Sequence, residues 1–336
     1  MPYSDRDGVE SDKEVSYLRY LISGLAINNT VIIVPANVGF IAQALNFNCR
    51  VRSLGVTNVL FWALDETAAE ILRSYSAPTY YNPSFFSVAN LEKYHALNYN
   101  RMMSERPKFW RMVMRTGYNM LFMDADIAVI RNPMESIVGD ADLEGQTDDY
   151  SVRECNDMDH LPAMCAGAFF LKSSERSVAL LNHMERQLLD GRELCEHPSE
   201  ENKDIPRACE DQEALNFFIQ DRSLSRVVNR NLNDTFSEEQ DSRLTVRFIP
   251  VDEYLNGHVL SRATLVSDPT TMAFKDAEGH KGEAFIPAMV HVNGYTGKDK
   301  QERLMLHGWW HLNADFTCSY EKDIMAVDEG ASLLRG

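Results

Sequence analysis

Two aspartates separated by one residue interrupt the apolar stretch LFMDADIAVI, residues 121–130. Alternate residues of an extended chain share a face, so Asp124 and Asp126 can point to the same place. A buried carboxylate is costly unless a positive group meets it, and no Lys or Arg follows before Arg131. Carboxylate oxygens suit Mg²⁺ or Mn²⁺. The pattern therefore predicts a divalent metal ion here. The alternative is that one aspartate caps a turn and the other is solvated.

A second group follows an apolar run in HVNGYTGK, residues 291–298. His291 is a candidate third metal ligand, although a histidine at a strand end can also be purely structural. Gly294 and Gly297 allow a phosphate to approach the backbone, and Lys298 supplies a cation on a flexible stem. Together these residues predict a clamp for a diphosphate.

Two further motifs lie between these groups. Gly167, inside the strand-like run CAGAFFL, indicates either close approach of another group or tight sheet packing. Asp211 and Gln212 begin the amphipathic stretch DQEALNFFIQ. Asp211 is either a helix cap or a polar group of the same site.

The elements that must position these residues follow an α/β pattern. The runs 31–35 and 58–65 are predicted strands, and each is followed by a helical pattern, with Asn37 as a helix cap and Gly55 as a helix end. Such alternation indicates a parallel sheet, which binds ligands where its strands end. The remaining predicted strands are 119–124, 163–174, 225–229, 244–249 and 284–295, and the remaining helices are 88–105, 107–117, 175–190 and 210–221.

Composition limits the classes of function. The 336 residues are 44% apolar, enough for one large domain, and the net charge of −17 argues against nucleic-acid binding. The acidic segments 139–160 and 196–204 are predicted to be solvated loops. No run is long and apolar enough to cross a bilayer, and there is no signal peptide. We therefore expect a cytoplasmic protein, or a Golgi-luminal one if an N-terminal anchor is missing from this sequence.

Six cysteines leave the thiol chemistry open. Cys155 could pair with Cys165, and Cys195 with Cys209, but buried free thiols fit the sequence equally well.

The motifs D-x-D, x-A-G, D-Q-x-x-L-N and H-x-N-x-x-x-G-K occur in that order. In this order they resemble the nucleotide-diphospho-sugar transferases of GT-A fold, most closely glycosyltransferase family 77. That family includes plant xylosyl- and arabinosyltransferases and protist galactosyltransferases. The resemblance runs from about Val31 to Trp310 and implies a single α/β domain with a Rossmann-like, mixed but mostly parallel central sheet flanked by helices.

The resemblance also implies boundaries. A weakly ordered segment 1–20 would precede the catalytic domain 21–320, and 321–336 would form a tail. Within the domain, a nucleotide-binding half of about 31–130 would precede an acceptor-binding and metal-completing half of about 131–312.

The resemblance further implies roles for individual residues. Asp124, Asp126 and His291 would hold Mn²⁺, or Mg²⁺, on the diphosphate of a UDP-sugar. Asp211 and Gln212 would lie beside the sugar and are the catalytic candidates. The other implied donor contacts are Val34, Pro35, Ala36 and Asn37 around uridine, and Lys108, Ala125, Ala166, Gly167, Gly294 and Lys298 along the diphosphate and sugar. Cys165 departs from the polar residue found in related enzymes.

The implied activity is retaining transfer of a sugar to a hydroxyl of a glycan or glycoprotein acceptor. UDP-galactose is the first choice of donor, and a UDP-pentose such as UDP-xylose or UDP-arabinose is the second. Retention would use Asp211 or Gln212 as nucleophile, or attack from the face of the departing diphosphate. The acidic segments 139–160 and 192–209 would frame the acceptor site.

Other classes fit the sequence less well. A catalytically weak sugar-nucleotide-binding or glycan-binding pseudoenzyme would not need intact metal ligands. A haloacid-dehalogenase-like phosphatase shares the D-x-D pattern, but it normally carries the motif near the start of its domain. HGWWH, residues 307–311, lacks the glutamate of a zinc hydrolase.

Overall fold

The centre of the molecule is a mixed β-sheet. The computed structural model describes residues 12–85, 97–148, 161–196, 208–228, 241–260, 263–266, 268–275, 281–292, 294 and 296–319. In these residues the sheet comprises β1 (Thr30–Ala36), β2 (Val59–Ala63), β3 (Thr79–Tyr81), β4 (Asn119–Met123), β6 (Leu143–Thr147), β7 (Met164–Leu171), β8 (Ser225–Val227) and β9 (Leu244–Ile249). Their order is β3-β2-β1-β4-β7-β6-β9-β8.

Most neighbours in this sheet are parallel. Among the described strands of the central sheet, β7 alone runs antiparallel to both of its neighbours, β4 and β6. The ends of β1, β2, β4 and β6 therefore share one edge of the sheet. This arrangement confirms the expected mixed, mostly parallel sheet, and it brings the residues after β4 to the edge where ligands bind.

Two smaller sheets accompany the central one in the described residues. The first has the order β10 (Tyr254–Asn256), β14 (Met289–His291) and β5 (Ile127–Val129). The second joins β11 (Ala263–Leu265), β12 (Met272–Lys275) and β13 (Lys281–Phe285). The run 284–295, predicted as one strand, is thus divided between β13 and β14.

Helices cover both faces of the central sheet. They are α1 (Asp12–Ser23), α2 (Ile41–Ser53), α3 (Glu66–Ser74), α4 (Leu97–Arg115), α5 (Glu175–Glu196), α6 (Asp211–Gln220), α7 (Gly257–Leu260) and α8 (Gly297–Leu306). Alternate residues of β1 divide the core. Val31 and Ile33 pack with α1, α4, α5 and α6, whereas Ile32 and Val34 pack with α2 and α3. None of the described helices combines the length and apolarity needed to cross a bilayer.

Three further predicted elements differ from the structure. Pro107 was expected to separate two helices, but it lies inside the single helix α4. The acidic segment 139–160 was expected to be a solvated loop, yet its residues 143–147 form the buried strand β6. Residues 12–20, assigned to a weakly ordered segment, belong to α1, which buries Val15, Leu18 and Ile22 because they recur on one helix face. The tail 321–336 lies outside the described residues.

The described residues contain two disulfides. Cys195 pairs with Cys209, one of the predicted pairs, and Cys49 pairs with Cys318. Cys165 is a buried free thiol, so the alternative pairing with Cys155 is wrong. Cys155 itself lies outside the described residues.

Candidate active site

Asp124, Asp126 and His291 meet at the carboxyl-terminal edge of the central sheet. Asp124 follows the last residue of β4, and Asp126 precedes β5. His291 ends β14, whose antiparallel register pairs it with Ile127, the residue next to Asp126. One donor atom from each of the three residues lies within 4.8 Å of the others. Two carboxylates and an imidazole at this spacing can hold a divalent cation.

Gly167 makes the close approach at this cluster possible. Its carbonyl accepts a hydrogen bond of 2.8 Å from the backbone N–H of Asp124. A Cβ on Gly167 would lie 2.5 Å from His291 Cε1 and 2.7 Å from Asp124 Oδ2, closer than real contacts allow. Residue 167 therefore has to be glycine if the histidine and the carboxylate are to keep their positions. Ala125 is buried between the two aspartates.

Arg106, on α4, joins two carboxylates across the cluster. Its guanidinium donates to Asp124 Oδ1 at 2.9 Å and to Asp211 Oδ2 at 3.1 Å. Its charge also lies over the ring of Phe122, 5.1 Å from the centroid. The predicted basic residue of this helix, Lys108, instead pairs with Glu105 at 2.9 Å and is not part of the cluster.

Lys300, not Lys298, brings a lysine from α8 into the site. The Lys300 ammonium forms an ion pair with Asp126, whose side chain is only 4% exposed. The Lys298 side chain is 82% exposed, and its Nζ lies 3.7 Å from Glu302. Gly294 is beside Lys300, because a Cβ on Gly294 would lie 2.8 Å from Lys300 Cγ. The structure therefore leaves Lys298 outside the cluster and brings Gly294 next to it through a different lysine.

The charges of these groups stabilise each other. Burial raises the pKa of Asp126, but Lys300 and His291 outweigh burial and hold it below its ordinary value. Burial lowers the pKa of His291, and Asp126 and Cys165 outweigh this effect, so that pKa lies above its ordinary value. Cys165 Sγ is 3.4 Å from His291 Nδ1, which turns the other ring nitrogen, Nε2, toward Asp126 Oδ1 at 3.4 Å.

Asp211 and Gln212 extend the site along the start of α6. Glu210, not Asp211, occupies the cap position of this helix, so the helix-cap alternative for Asp211 does not hold. Burial raises the pKa of Asp211, with Arg106 opposing the shift and Asp124 adding to it. Gln212 Oε1 accepts from the N–H of Ala166 at 3.1 Å.

The other end of Gln212 is fixed by a carboxylate that the sequence did not suggest. Gln212 Nε2 donates to Asp148 Oδ2 at 2.9 Å, and Asn256 Nδ2 donates to Asp148 Oδ1 at 2.8 Å. Asp148 follows β6, so it reaches the same sheet edge as Asp124. The amide of Gln212 is thus held at both ends, beside the carboxylate of Asp211.

The end of β1 forms a tightly held turn. Val34, Pro35 and Ala36 are the last three residues of this strand and are buried, and Asn37 follows. Pro35 removes no hydrogen bond to β4, because that ladder ends at the pair Ile33 and Phe122. Asn37 Oδ1 accepts from the N–H of Phe40 at 3.0 Å, as predicted for a cap. The Oδ2 of Asp65 accepts from the N–H of Val38 at 2.8 Å, which fixes the turn.

Arg106, Lys300 and Asp148 were not identified from the sequence. Of the three, Lys300 came nearest to being predicted, since it lies two residues beyond Lys298, the lysine that the sequence suggested. In the part of the chain that the structure describes, the cluster of Asp124, Asp126 and His291 is the one acidic or histidine group close enough to hold a metal ion. His307 stacks on Trp309 with centroids 4.7 Å apart, in agreement with a packing role for HGWWH.

The known proteins to which this chain is similar are named as glycosyltransferases. The chain is 23% identical over 320 residues to beta-arabinofuranosyltransferase RAY1 of Arabidopsis thaliana, covering 92% of this chain and 54% of that protein. It is 22% identical over 231 residues to UDP-galactose:fucoside alpha-3-galactosyltransferase of Dictyostelium discoideum, covering 67% of this chain and 30% of that protein. The chain thus spans about half, or less, of the length of these relatives.

Solved structures give weaker similarities. Galactosyltransferase LgtC in complex with donor and acceptor sugar analogues matches with a TM-score of 0.45 and 15% identity, over 84% of this chain and 96% of that one. A glycosyltransferase involved in glycosylation of the major capsid of PBCV-1 matches with a TM-score of 0.37 and 11% identity, over 82% of this chain and 98% of that one.

The match to a family profile covers most of the domain. The profile of the nucleotide-diphospho-sugar transferases aligns with residues 54–305, from the end of α2 to the last turn of α8. This range contains the cluster of Asp124, Asp126 and His291, together with Asp211 and Gln212. With the sheet and its edge already described, the match establishes that the chain belongs to the nucleotide-diphospho-sugar transferase family.

Proposed function

We propose that this protein is a retaining, Mn²⁺-dependent glycosyltransferase that moves a sugar from a UDP-sugar to a hydroxyl of a glycan or glycoprotein. The observation that carries the proposal is the convergence of Asp124, Asp126 and His291 at the carboxyl-terminal edge of the sheet, within 4.8 Å of one another. A sheet edge of this kind is where α/β proteins bind nucleotides.

The three candidate metal ligands fit a divalent ion. Two hard carboxylates and one imidazole suit Mn²⁺ well and Mg²⁺ acceptably. Gly167 supports this fit, because any side chain there would displace both His291 and Asp124. When bound, the ion would offset negative charge developing on the departing diphosphate. Lys300 and Arg106 would add positive charge beside the same diphosphate.

The choice of donor rests on the relatives. One is named for UDP-galactose and the other for arabinofuranosyl transfer. UDP-galactose is the first choice and a UDP-pentose the second. The end of β1, from Val34 to Asn37, is the proposed uridine-binding edge. Ala125, Ala166, Gly167 and Gly294 are the proposed backbone contacts of the donor.

Asp211 and Gln212 are the proposed catalytic residues. Arg106 orients the carboxylate of Asp211, and Asp148 with the backbone of Ala166 orients the amide of Gln212. Either residue can serve as the nucleophile of a double displacement. In a front-face reaction, both would instead stabilise positive charge on the sugar while the diphosphate accepts the acceptor's proton.

The acceptor side and the compartment are proposals as well. Acidic segments 139–160 and 192–209 would frame the acceptor site, and their residues 149–160 and 197–207 lie outside the described residues. A secretory compartment such as the Golgi lumen is favoured by the two disulfides, since disulfides persist in oxidising compartments.

A panel of UDP-sugars tests the function. Purified protein is incubated with UDP-galactose, UDP-xylose, UDP-arabinose, UDP-glucose and UDP-N-acetylglucosamine, and release of UDP is measured with Mn²⁺ or with EDTA. We expect release that depends on Mn²⁺ and is fastest with UDP-galactose. Asp126→Asn should reduce the rate by at least about 100-fold, the scale of losing one well-placed polar group at a reacting centre.

The matched control is Asp252→Asn, which makes the same change at an exposed aspartate and should react like the wild type. Release that is equal with EDTA, or equal in Asp126→Asn, would contradict the proposal. Absence of release with every donor, despite tight binding of UDP, would indicate a pseudoenzyme. The anomeric configuration of the product, read by NMR, tests retention.

A further inference from the structure

The ion pair between Lys300 and Asp126 lies where the proposed metal ligands are. Asp126 is 4% exposed and Lys300 22% exposed, so the pair is largely shielded from water. The Lys300 ammonium contacts Oδ2 of Asp126, and His291 Nε2 lies 3.4 Å from Oδ1. Both oxygens of this carboxylate are therefore already engaged by groups of the protein.

Several elements hold Lys300 in this place. Thr296 caps α8 through a reciprocal pair of hydrogen bonds with Asp299. Gln43 Nε2, from α2, donates to the carbonyl of Gly297 at 2.8 Å. The ring of Phe40 lies 5.7 Å from the Lys300 ammonium. Gly294 leaves the space that the lysine stem fills. The contact is therefore built by the fold rather than made by a mobile surface lysine.

Asp124, the other aspartate of the D-x-D motif, is likewise paired with a positively charged side chain. Arg106 bridges Asp124 and Asp211, so three carboxylates of the site face two permanently positive groups. These five side chains carry one net negative charge. A divalent cation added alone would meet Lys300 and Arg106 at short range, whereas a cation that arrives with a diphosphate brings the negative charge to satisfy them.

We propose that Lys300 is an exchangeable counter-ion of Asp126, which opposes binding of a divalent cation alone and moves to the donor diphosphate when cation and diphosphate bind together. This rests on the proposed function and adds to it a rule for loading the site. The cation and the nucleotide diphosphate then bind cooperatively, and by linkage each raises the affinity of the other by the same factor.

The test uses Lys300→Met, which keeps an unbranched stem of similar length and removes the charge. Calorimetry measures three affinities for the full chain: Mn²⁺ alone, UDP alone, and UDP with saturating Mn²⁺. We expect Lys300→Met to bind Mn²⁺ alone at least about 10-fold more tightly than the wild type, and to lose most of the cooperativity between Mn²⁺ and UDP.

Two further variants keep the test decisive. Lys298→Met removes the same charge from the exposed lysine two residues earlier and should bind Mn²⁺ and UDP like the wild type. Lys300→Arg retains the charge and should keep the affinity for Mn²⁺ alone low. Near-ultraviolet circular dichroism and thermal melting confirm folding. If Lys300→Met does not fold, Lys300→Gln, which is also neutral, carries the measurement.

The outcomes separate this inference from the proposed function. Wild-type cooperativity that survives unchanged in Lys300→Met, with no gain in Mn²⁺ affinity, overturns the counter-ion role and leaves the metal site standing. Failure of the wild type to bind Mn²⁺ in the presence of UDP overturns the proposed function itself. An equal gain in Lys298→Met would mean that net charge near the site, and not the contact with Asp126, controls binding.

Discussion

Gly167 sets the distance between β7 and the candidate metal ligands. The space that a side chain at residue 167 would need is filled by His291 and Asp124, each of which has an atom within 3 Å of the ideal Cβ position. Glycine in a strand interior normally weakens the strand, because it has no side chain to pack. At this position the site itself fills the space, so the glycine belongs to the site rather than to the sheet.

Substitution of Gly167 by alanine should therefore act on metal binding. The new methyl group displaces His291 and Asp124, and we expect affinity for Mn²⁺ with UDP to fall by about 10-fold or more. The control is Gly145→Ala in β6, where the atoms nearest to the new methyl group belong to the flexible side chain of Met164. Calorimetry on both variants checks this. Equal affinity in Gly167→Ala and wild type would show that the cluster tolerates the methyl group.

Residue types and spacing predict the acidic pair, the histidine and the glycine of this site. They do so because those side chains directly follow strands, and strand ends meet at one edge of a parallel sheet. Arg106 could not be found in this way, since it lies in mid-helix and its contact with Asp124 spans 18 residues. Lys298 and Lys300 differ by two residues on a helix and so point in different directions, which only the orientation of α8 decides.

Strand β6 shows what ion pairs do at the scale of an element. Asp142, directly before β6, and Glu144 and Gln146, within it, are each no more than 1% exposed. Arg247, on the neighbouring strand β9, pairs with Glu144. Arg176, at the start of α5, pairs with Asp142 at 2.8 Å, and Thr245 of β9 donates to Asp142 through its N–H at 3.0 Å and its hydroxyl at 2.7 Å. These contacts fasten β6 to β9 and α5.

Protonation of Asp142 at low pH should lower the stability of the protein. Burial raises the pKa of Asp142, but the bonds from Thr245 and Arg176 outweigh it and hold that pKa below its ordinary value. The stabilisation is complete above the pKa of the unfolded chain, about 4, and is lost as the pH falls through the lower pKa of the folded protein. Asp142→Asn should lose about 1–3 kcal/mol at pH 7 and show a weaker decline in acid.

Thermal melting between pH 7 and pH 3 measures this effect. Asp252→Asn, at an exposed aspartate, serves as the control and should follow the wild type. If Asp142→Asn melts at the wild-type temperature at pH 7, the contacts of Asp142 contribute no net stability to the sheet.

The sequence predicts most of the other elements because their apolar residues recur with helix or strand periodicity. The prediction misses β6 because carboxylates dominate the neighbouring sequence, which is typical of a solvated loop. The cationic partners of these carboxylates, Arg176 and Arg247, lie far away in the chain. The prediction also divides α4 at Pro107 because proline usually ends a helix. Here the helix continues through the proline and delivers the preceding residue, Arg106, to the site.

The Cys49–Cys318 disulfide acts on the whole molecule. It joins α2 to the segment after α8 and closes 269 residues of chain, whereas Cys195–Cys209 closes 14. Asn46, also on α2, reinforces the join by accepting from the N–H of His311 and donating to the carbonyl of Trp309. Cysteine spacing could not reveal this pair, since the partners are brought together only by the complete fold.

Removal of the two disulfides should have unequal effects. A longer closed loop constrains the unfolded chain more, so Cys49→Ala with Cys318→Ala should cost roughly 2–3 kcal/mol more than Cys195→Ala with Cys209→Ala. Chemical denaturation of both double variants, compared with the oxidised and the reduced wild type, measures the difference. A larger loss from the Cys195–Cys209 pair would contradict the loop-length argument.

The assembly of the site from distant parts of the chain has a consequence for protein synthesis. Asp124 and Asp126 leave the ribosome well before His291 and Lys300, because synthesis adds only about 5–20 residues per second. During that interval the two aspartates lack both the imidazole and the ammonium that stabilise them. The nascent chain therefore presents two aspartates without their positive partners. The proposed site can bind a UDP-sugar only after β14 and α8 have been synthesised and have packed against the rest of the domain.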